Sequence, residues 1–161
     1  MFVYSIRAST IKFFGFIAVT LAILIGILAM GSGGIVEASG GGEVNYGGIK
    51  TNEDRVAFIE QFGLKVEAEP KEEIPFAMPD NFDRVITGYN ELQKKQGLDL
   101  SKYAKKKVTR YTYKVTNYNS QSDVYANLFV YRQKIVACDL SSADPEGFVI
   151  PLTLVDGTKL K

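Results

Sequence analysis

An uncharged apolar run from Phe13 to Met30, preceded by Arg7 and Lys12 and followed by glycine-rich chain, constrains this sequence more than any other feature. Its eighteen residues, at a helical rise of about 1.5 Å, cover roughly 27 Å, and Gly31 to Val36 extend the span toward the roughly 30 Å core of a bilayer. The run reads as one transmembrane helix. Arg7 and Lys12 on its amino side, against Glu37 and Glu43 beyond it, predict a cytoplasmic N-terminus and an extracytoplasmic remainder at the cell membrane, because positive charge resists translocation. A cleavable signal peptide is the alternative, with Val36-Glu37-Ala38 before Ser39 as a loose small-residue site. The apolar core of such peptides is usually about 7 to 15 residues, so the longer run here favours an uncleaved signal anchor. Lipidation at the N-terminus would need a cysteine closing the run, and the single cysteine is Cys138. Gly15, Ala18, Ala22 and Gly26 form a stripe of small residues that suits helix pairing in lipid, or simply reflects membrane-helix composition.

The segment 31–48 reads as a Gly-rich linker after a cytoplasmic 1–12 and an anchor at 13–30. As a coil, its eighteen residues have an end-to-end distance of about 20 to 25 Å, which keeps the domain near the membrane. The remainder holds one core and one domain, expected over 49–155, with a frayed tail at 156–161. Removing the two basic and two acidic residues of the first 48 leaves 17 Lys and Arg against 16 Asp and Glu. That balance, together with the location, argues against nucleic-acid binding. A lone Cys138, in the apolar run Ile135-Val136-Ala137-Cys138, forms no intramolecular disulfide and reads as a small buried hydrophobe. The chain has no histidine, which removes Ser-His-Asp, Cys-His and His-zinc chemistry.

Thr51-Asn52-Glu53-Asp54 offers a capping residue with an acid three positions on, and Phe58, Ile59 and Phe62 supply an apolar face before Gly63 ends the first helix. Alternation follows, through Val66 and Ala68 to Ile74, Phe76 and Met78. Pro75 assigns this strand to an edge. Asp80 or Asn81 is the expected cap of a second helix carrying Phe82, Val85, Ile86, Tyr89 and Leu92, closed by Gly97. From Lys107 to Asn117, Thr109, Tyr111, Tyr113 and Val115 alternate with Arg110, Thr112, Lys114 and Thr116, predicting one buried and one wet face. Val124 to Tyr131 and Ile135 to Leu140 form a hairpin through Arg132-Gln133, where a looser turn is expected for want of Asn-Gly or Asp-Gly. Phe148, Val149, Ile150 and Leu152 offer a further edge strand. The economical solution is an α+β domain with two helices packed on one face of a mostly antiparallel sheet of about four strands.

Four groups carry candidate chemistry. Glu67, Glu69, Glu72 and Glu73 gather carboxylates without the loop spacing of a calcium site, and read as a charged edge. Lys102, Lys105, Lys106 and Lys107 form a basic cluster suited to anionic headgroups, wall polymers or an acidic partner, or a solvated loop. Tyrosines 103, 111, 113, 118, 125 and 131 concentrate in the strand region. Alternation places Tyr111 and Tyr113 under the helices, leaving Tyr118, Tyr125 and Tyr131 as candidates for exposure and partner binding. A hydrolase pairing serine with lysine, or two carboxylates, needs no histidine, but the soluble part contains no Ser-x-x-Lys.

From about Thr51 to Leu152 the sequence resembles an uncharacterised family of single-pass envelope proteins from clostridial-type Gram-positive bacteria, catalogued as a domain of unknown function. The resemblance rests on Asn52-Glu53-Asp54-Arg55-Val56-Ala57-Phe58-Ile59 with Phe62-Gly63, on Tyr89-Asn90 with Leu92-Gln93 before Gly97, on Arg110-Tyr111-Thr112-Tyr113, and on Val124-Tyr125-Ala126-Asn127-Leu128. It implies an N-terminal anchor and an extracytoplasmic α+β domain, and brings no catalytic residues. The expected function is a membrane-tethered, cofactor-free and non-catalytic interaction module that binds a membrane-proximal envelope protein or wall component. The alternatives are a small histidine-free envelope hydrolase, or an accessory subunit acting through its transmembrane helix.

Overall fold

The computed structural model describes residues 43–161. The signal anchor at 13–30, its stripe of small residues, the cleavage position near Ala38 and most of the linker lie outside the described residues. Among the described residues no helix is long and apolar enough to cross a membrane.

The first helix, α1 (Asn52–Glu60), is set by its N-terminus. Thr51 Oγ1 accepts from the Asp54 amide at 3.2 Å, and the Asp54 carboxylate accepts from the amides of Thr51 and Lys50 at 2.8 Å each. These bonds satisfy donors that the helix itself leaves open. Phe58 and Ile59 turn inward, and Gly63 ends the segment at a positive φ of 78°. Strand β1 (Glu72–Ala77) then pairs antiparallel with β2 (Lys107–Val115) and forms one edge of the sheet. Met78 N–H donates to Lys106 O at 2.9 Å. By alternation Phe76 and Ile74 also face β2 and Pro75 faces out, where its missing N–H costs no ladder bond.

Helix α2 (Arg84–Lys94) is capped by Asp83, not by Asp80 or Asn81 as the sequence suggested. Asp83 Oδ1 accepts from Ile86 N–H at 2.9 Å, three residues on, so Phe82 lies before the helix although it keeps the apolar period. Strands β2, β3 (Val124–Tyr131), β4 (Lys134–Ser142) and β5 (Val149–Ile150) complete an antiparallel meander in sequence order. The sheet has five strands rather than about four, the fifth being the edge strand offered by Val149 and Ile150. The β3–β4 turn is the tight two-residue form, not a looser one. Tyr131 pairs with Lys134, while Arg132 and Gln133 take positive φ values of 45° and 67°. The carbonyl of Gln133 accepts from Ile49 N–H at 2.9 Å, which helps hold a conformation that neither side chain favours.

The α+β class stands, but the two helices lie on opposite faces of the sheet. Tyr113 points to one face, where its Oη accepts from Arg55 Nε and donates to Asn52 Oδ1 of α1, both at 2.8 Å. Its neighbour Thr112 points to the other, level with Asn127 and Asp139 across the strands, and Tyr89 of α2 bonds Asp139 there. Two cores result. Phe58 and Ile59 pack with Tyr113, Ala126, Leu128 and Leu140 on the α1 side. Tyr89 and Leu92 pack with Val108, Phe129 and Val136 on the α2 side. The polar face of β2 is therefore covered: Arg110 and Thr112 are buried, against the wet face expected of them.

Two boundaries also move. The linker ends before Tyr46, whose carbonyl accepts from Ile135 N–H at 2.8 Å while Gly47 bridges Lys134. At the other end, residues expected to fray are held. Asn119 N–H donates to Lys159 O at 2.7 Å, Lys161 N–H donates to Asn117 O at 2.8 Å, and Leu160 packs against the α1-side core.

Candidate functional site

The covered polar face of the sheet gathers the densest side-chain chemistry. The register aligns Thr112, Asn127 and Asp139 across β2, β3 and β4. Thr112 Oγ1 bonds Asn127 Oδ1 at 2.9 Å, and Asn127 Nδ2 donates to Asp139 Oδ1 at 2.8 Å and to Ser141 Oγ at 2.9 Å. Tyr89 Oη donates to the other Asp139 oxygen at 2.6 Å. Burial pushes the Asp139 carboxyl up to about 6 despite these donors, and pushes the Tyr89 phenol well up too. Arg110 bonds Glu72 at 2.8 Å at the edge of the row. Asp139 is only 4 % exposed. In this arrangement the row fastens α2 to the sheet, with its carboxylate turned away from solvent.

A second polar device closes the outer edge of β4. Gln93 Oε1 accepts from Cys138 N–H at 2.9 Å, and Gln96 Nε2 donates to Cys138 O at 2.6 Å and to Gln93 Oε1 at 2.7 Å. Two glutamines of the α2 end thus take the place of a strand between Tyr46–Ile49 and β5. The Cys138 thiol is buried and its pKa is raised by that burial, as suits a packing role. Among the described residues no cluster of three His, Cys, Asp or Glu is placed to hold a metal ion, the glutamates of the β1 region included.

The surface candidates divide. Lys102, Lys105, Lys106 and Lys107 are exposed at the start of β2, and Lys105 sits at a φ of 62° in a 2.8 Å ion pair with Asp80. Tyr131 joins them, because its ring meets that of Tyr103 edge-on at 5.6 Å. Tyr118 and Tyr125 do not. Tyr118 is buried against Phe148 at the far end of β2, and Tyr125 is buried beneath Lys71, whose Nζ donates to its Oη at 2.6 Å. Their expected exposure is not found. Both lie in segments that other parts of the chain cover, which local alternation does not reveal. The sequence reading missed Arg132 and Lys134. Arg132 stacks 5.3 Å from the Tyr131 ring centre, and both cations are exposed at the hairpin turn beside the start of β2. Hairpin register was the available signal, since it brings the end of β3 level with the start of β2. One end of the sheet therefore carries six cations around an aromatic pair.

Fold and site define a class: a small α+β domain whose sheet is covered by a helix on each face, with an internal polar row and an open cationic end. Residues 58–140 match the sequence family described as Domain of unknown function (DUF4830). The match spans more than half of the chain, which belongs to that family. It includes α2, β1 to β3, most of β4, and the lysine cluster. No curated protein and no solved structure matches the chain.

Proposed function

We propose that the chain is a membrane-tethered extracytoplasmic interaction module, non-catalytic and cofactor-free, that binds an acidic component of the cell envelope through its cationic end. One observation carries this reading: Lys102, Lys105, Lys106, Lys107, Arg132 and Lys134 are all exposed at one end of the sheet around Tyr103 and Tyr131. Charges gathered in this way attract an opposite surface before contact and fix its orientation on arrival. The tether is supported by the Phe13–Met30 run and its flanking charges.

The test is crosslinking of the full chain in native membranes, beside a variant with Lys102, Lys105, Lys106 and Lys107 changed to Glu. The variant should fold normally, because exposed substitutions cost little and the Lys105–Asp80 pair is open to water. The expected result is a recurrent acidic partner that crosslinks to the wild-type chain and not to the variant. A partner that crosslinks to both would move the function to the transmembrane helix or to another face.

A further inference from the structure

We propose that the acidic component bound by the cationic end is the anionic headgroup layer of the membrane that holds the chain's own anchor. This rests on the tethered reading above. Segment 46–49 runs antiparallel along the start of β4, with Gly47 bridging Lys134 and Ile49 bonded to Gln133. The chain arriving from the anchor thus joins the fold beside the cationic turn. Only residues 31–45 separate the apolar run from this docked segment. As coil those fifteen residues extend about 20 Å. Such a tether holds the end within reach of the lipid surface, and a ligand far out in a thick wall lies beyond it.

The chemistry of the end fits a headgroup layer. Among the described residues Lys102, Lys106, Lys107, Arg132 and Lys134 form no ion pair, and Lys105 is the only one of the six to meet a carboxylate. Tyr103 and Tyr131 are half-buried, with an apolar body and a polar tip, the character that places tyrosine at membrane–water boundaries. Positive φ at Lys105 and Arg132 sets both at turn tips. Attraction between such a patch and a charged surface dies within about 8 to 10 Å at ordinary salt, so it acts only when the end rests on the lipid.

The full chain is reconstituted into nanodiscs of phosphatidylcholine, with or without phosphatidylglycerol, and lysine acylation rates are read by mass spectrometry. Lys65, Lys159 and Lys161, at the opposite end of β2, serve as internal references. With phosphatidylglycerol present, acylation of Lys102, Lys106 and Lys107 should slow about fivefold relative to those references, as expected for a basic residue at an anionic surface. High salt should remove the difference. Equal rates in both discs, with the chain incorporated, would overturn the lipid proposal and leave the module. Equal protection by soluble polyphosphate over phosphatidylcholine discs would also overturn it, assigning the end to polyanions in general. A chain that does not enter the discs would overturn the tethered reading itself.

Discussion

Asp139 is the residue at which this fold concentrates its electrostatic cost. Its two oxygens receive Tyr89 Oη and Asn127 Nδ2, yet burial dominates and its pKa stands at about 6, against 3.8 ordinarily. Between those values the folded protein keeps a proton that the unfolded chain releases. Stability from this group is therefore fully present below about pH 4 and is lost as pH rises through 6, by roughly 3 kcal/mol at about 1.36 kcal/mol per pKa unit. Asp54, Asp99, Asp123 and Asp156 have lowered values, so their effect runs the other way and falls below this window. Urea midpoints should thus be higher at pH 4.5 than at pH 6.5, and Asp139→Asn should flatten the difference. A wild-type midpoint unchanged across that range would show that the donors from Tyr89 and Asn127 offset the burial and leave the carboxyl near its ordinary value. Each of these side chains is plain in the sequence, but their meeting is not. Asp139 sits inside an apolar run, and only the register of three strands places it opposite Asn127 and Thr112.

At the scale of elements, local signals located most segments. The capping box at Thr51, the glycines after both helices and the outward Pro75 state their roles in single residues, and each does what those residues dictate. The β3–β4 turn is where local preference and structure part. Arg132 and Gln133 lack the residues that make a two-residue turn easy, and the turn forms because long strand pairing and the bond from Ile49 outweigh the strain. L-residues in the left-handed region cost about 1 to 2 kcal/mol each, and Asn and Gly largely escape that cost. Replacing Arg132-Gln133 by Asn-Gly relieves both residues but forfeits the Arg132 stack on Tyr131, so the net stabilisation should be about 1 to 2 kcal/mol, read as a higher urea midpoint with an unchanged slope. A lower midpoint would mean that the Arg132 stack on Tyr131 contributes more than the strain removes. The glutamine closure of β4 has no comparable signal, because nothing in Gln93 or Gln96 announces that each will complete the ladder position of a residue more than forty places away.

The arrangement of the whole molecule was legible in kind and not in placement. Periodicity gives an amphipathic α2 and an alternating β2, but it does not say whether polar alternation faces water or a second core. Here Arg110 and Thr112 are roofed, so the sheet is a shared wall: Tyr113 belongs to the α1 side while its neighbour Thr112 joins the polar row beneath α2. A wall that serves both cores should make them one cooperative unit, since loosening either face shifts the strands that support the other. Ile59, fully buried on the α1 side, makes the test sharp. Ile59→Ala should cost about 2 to 5 kcal/mol through the cavity it leaves. Hydrogen exchange should report the same loss at the slow amides of α2 on the far face as at those of β3. If α2 keeps its protection while α1 and β3 lose theirs, the two faces fold separately, and a cationic end built from the loop before β2 and the β3–β4 hairpin would not be held as one rigid surface.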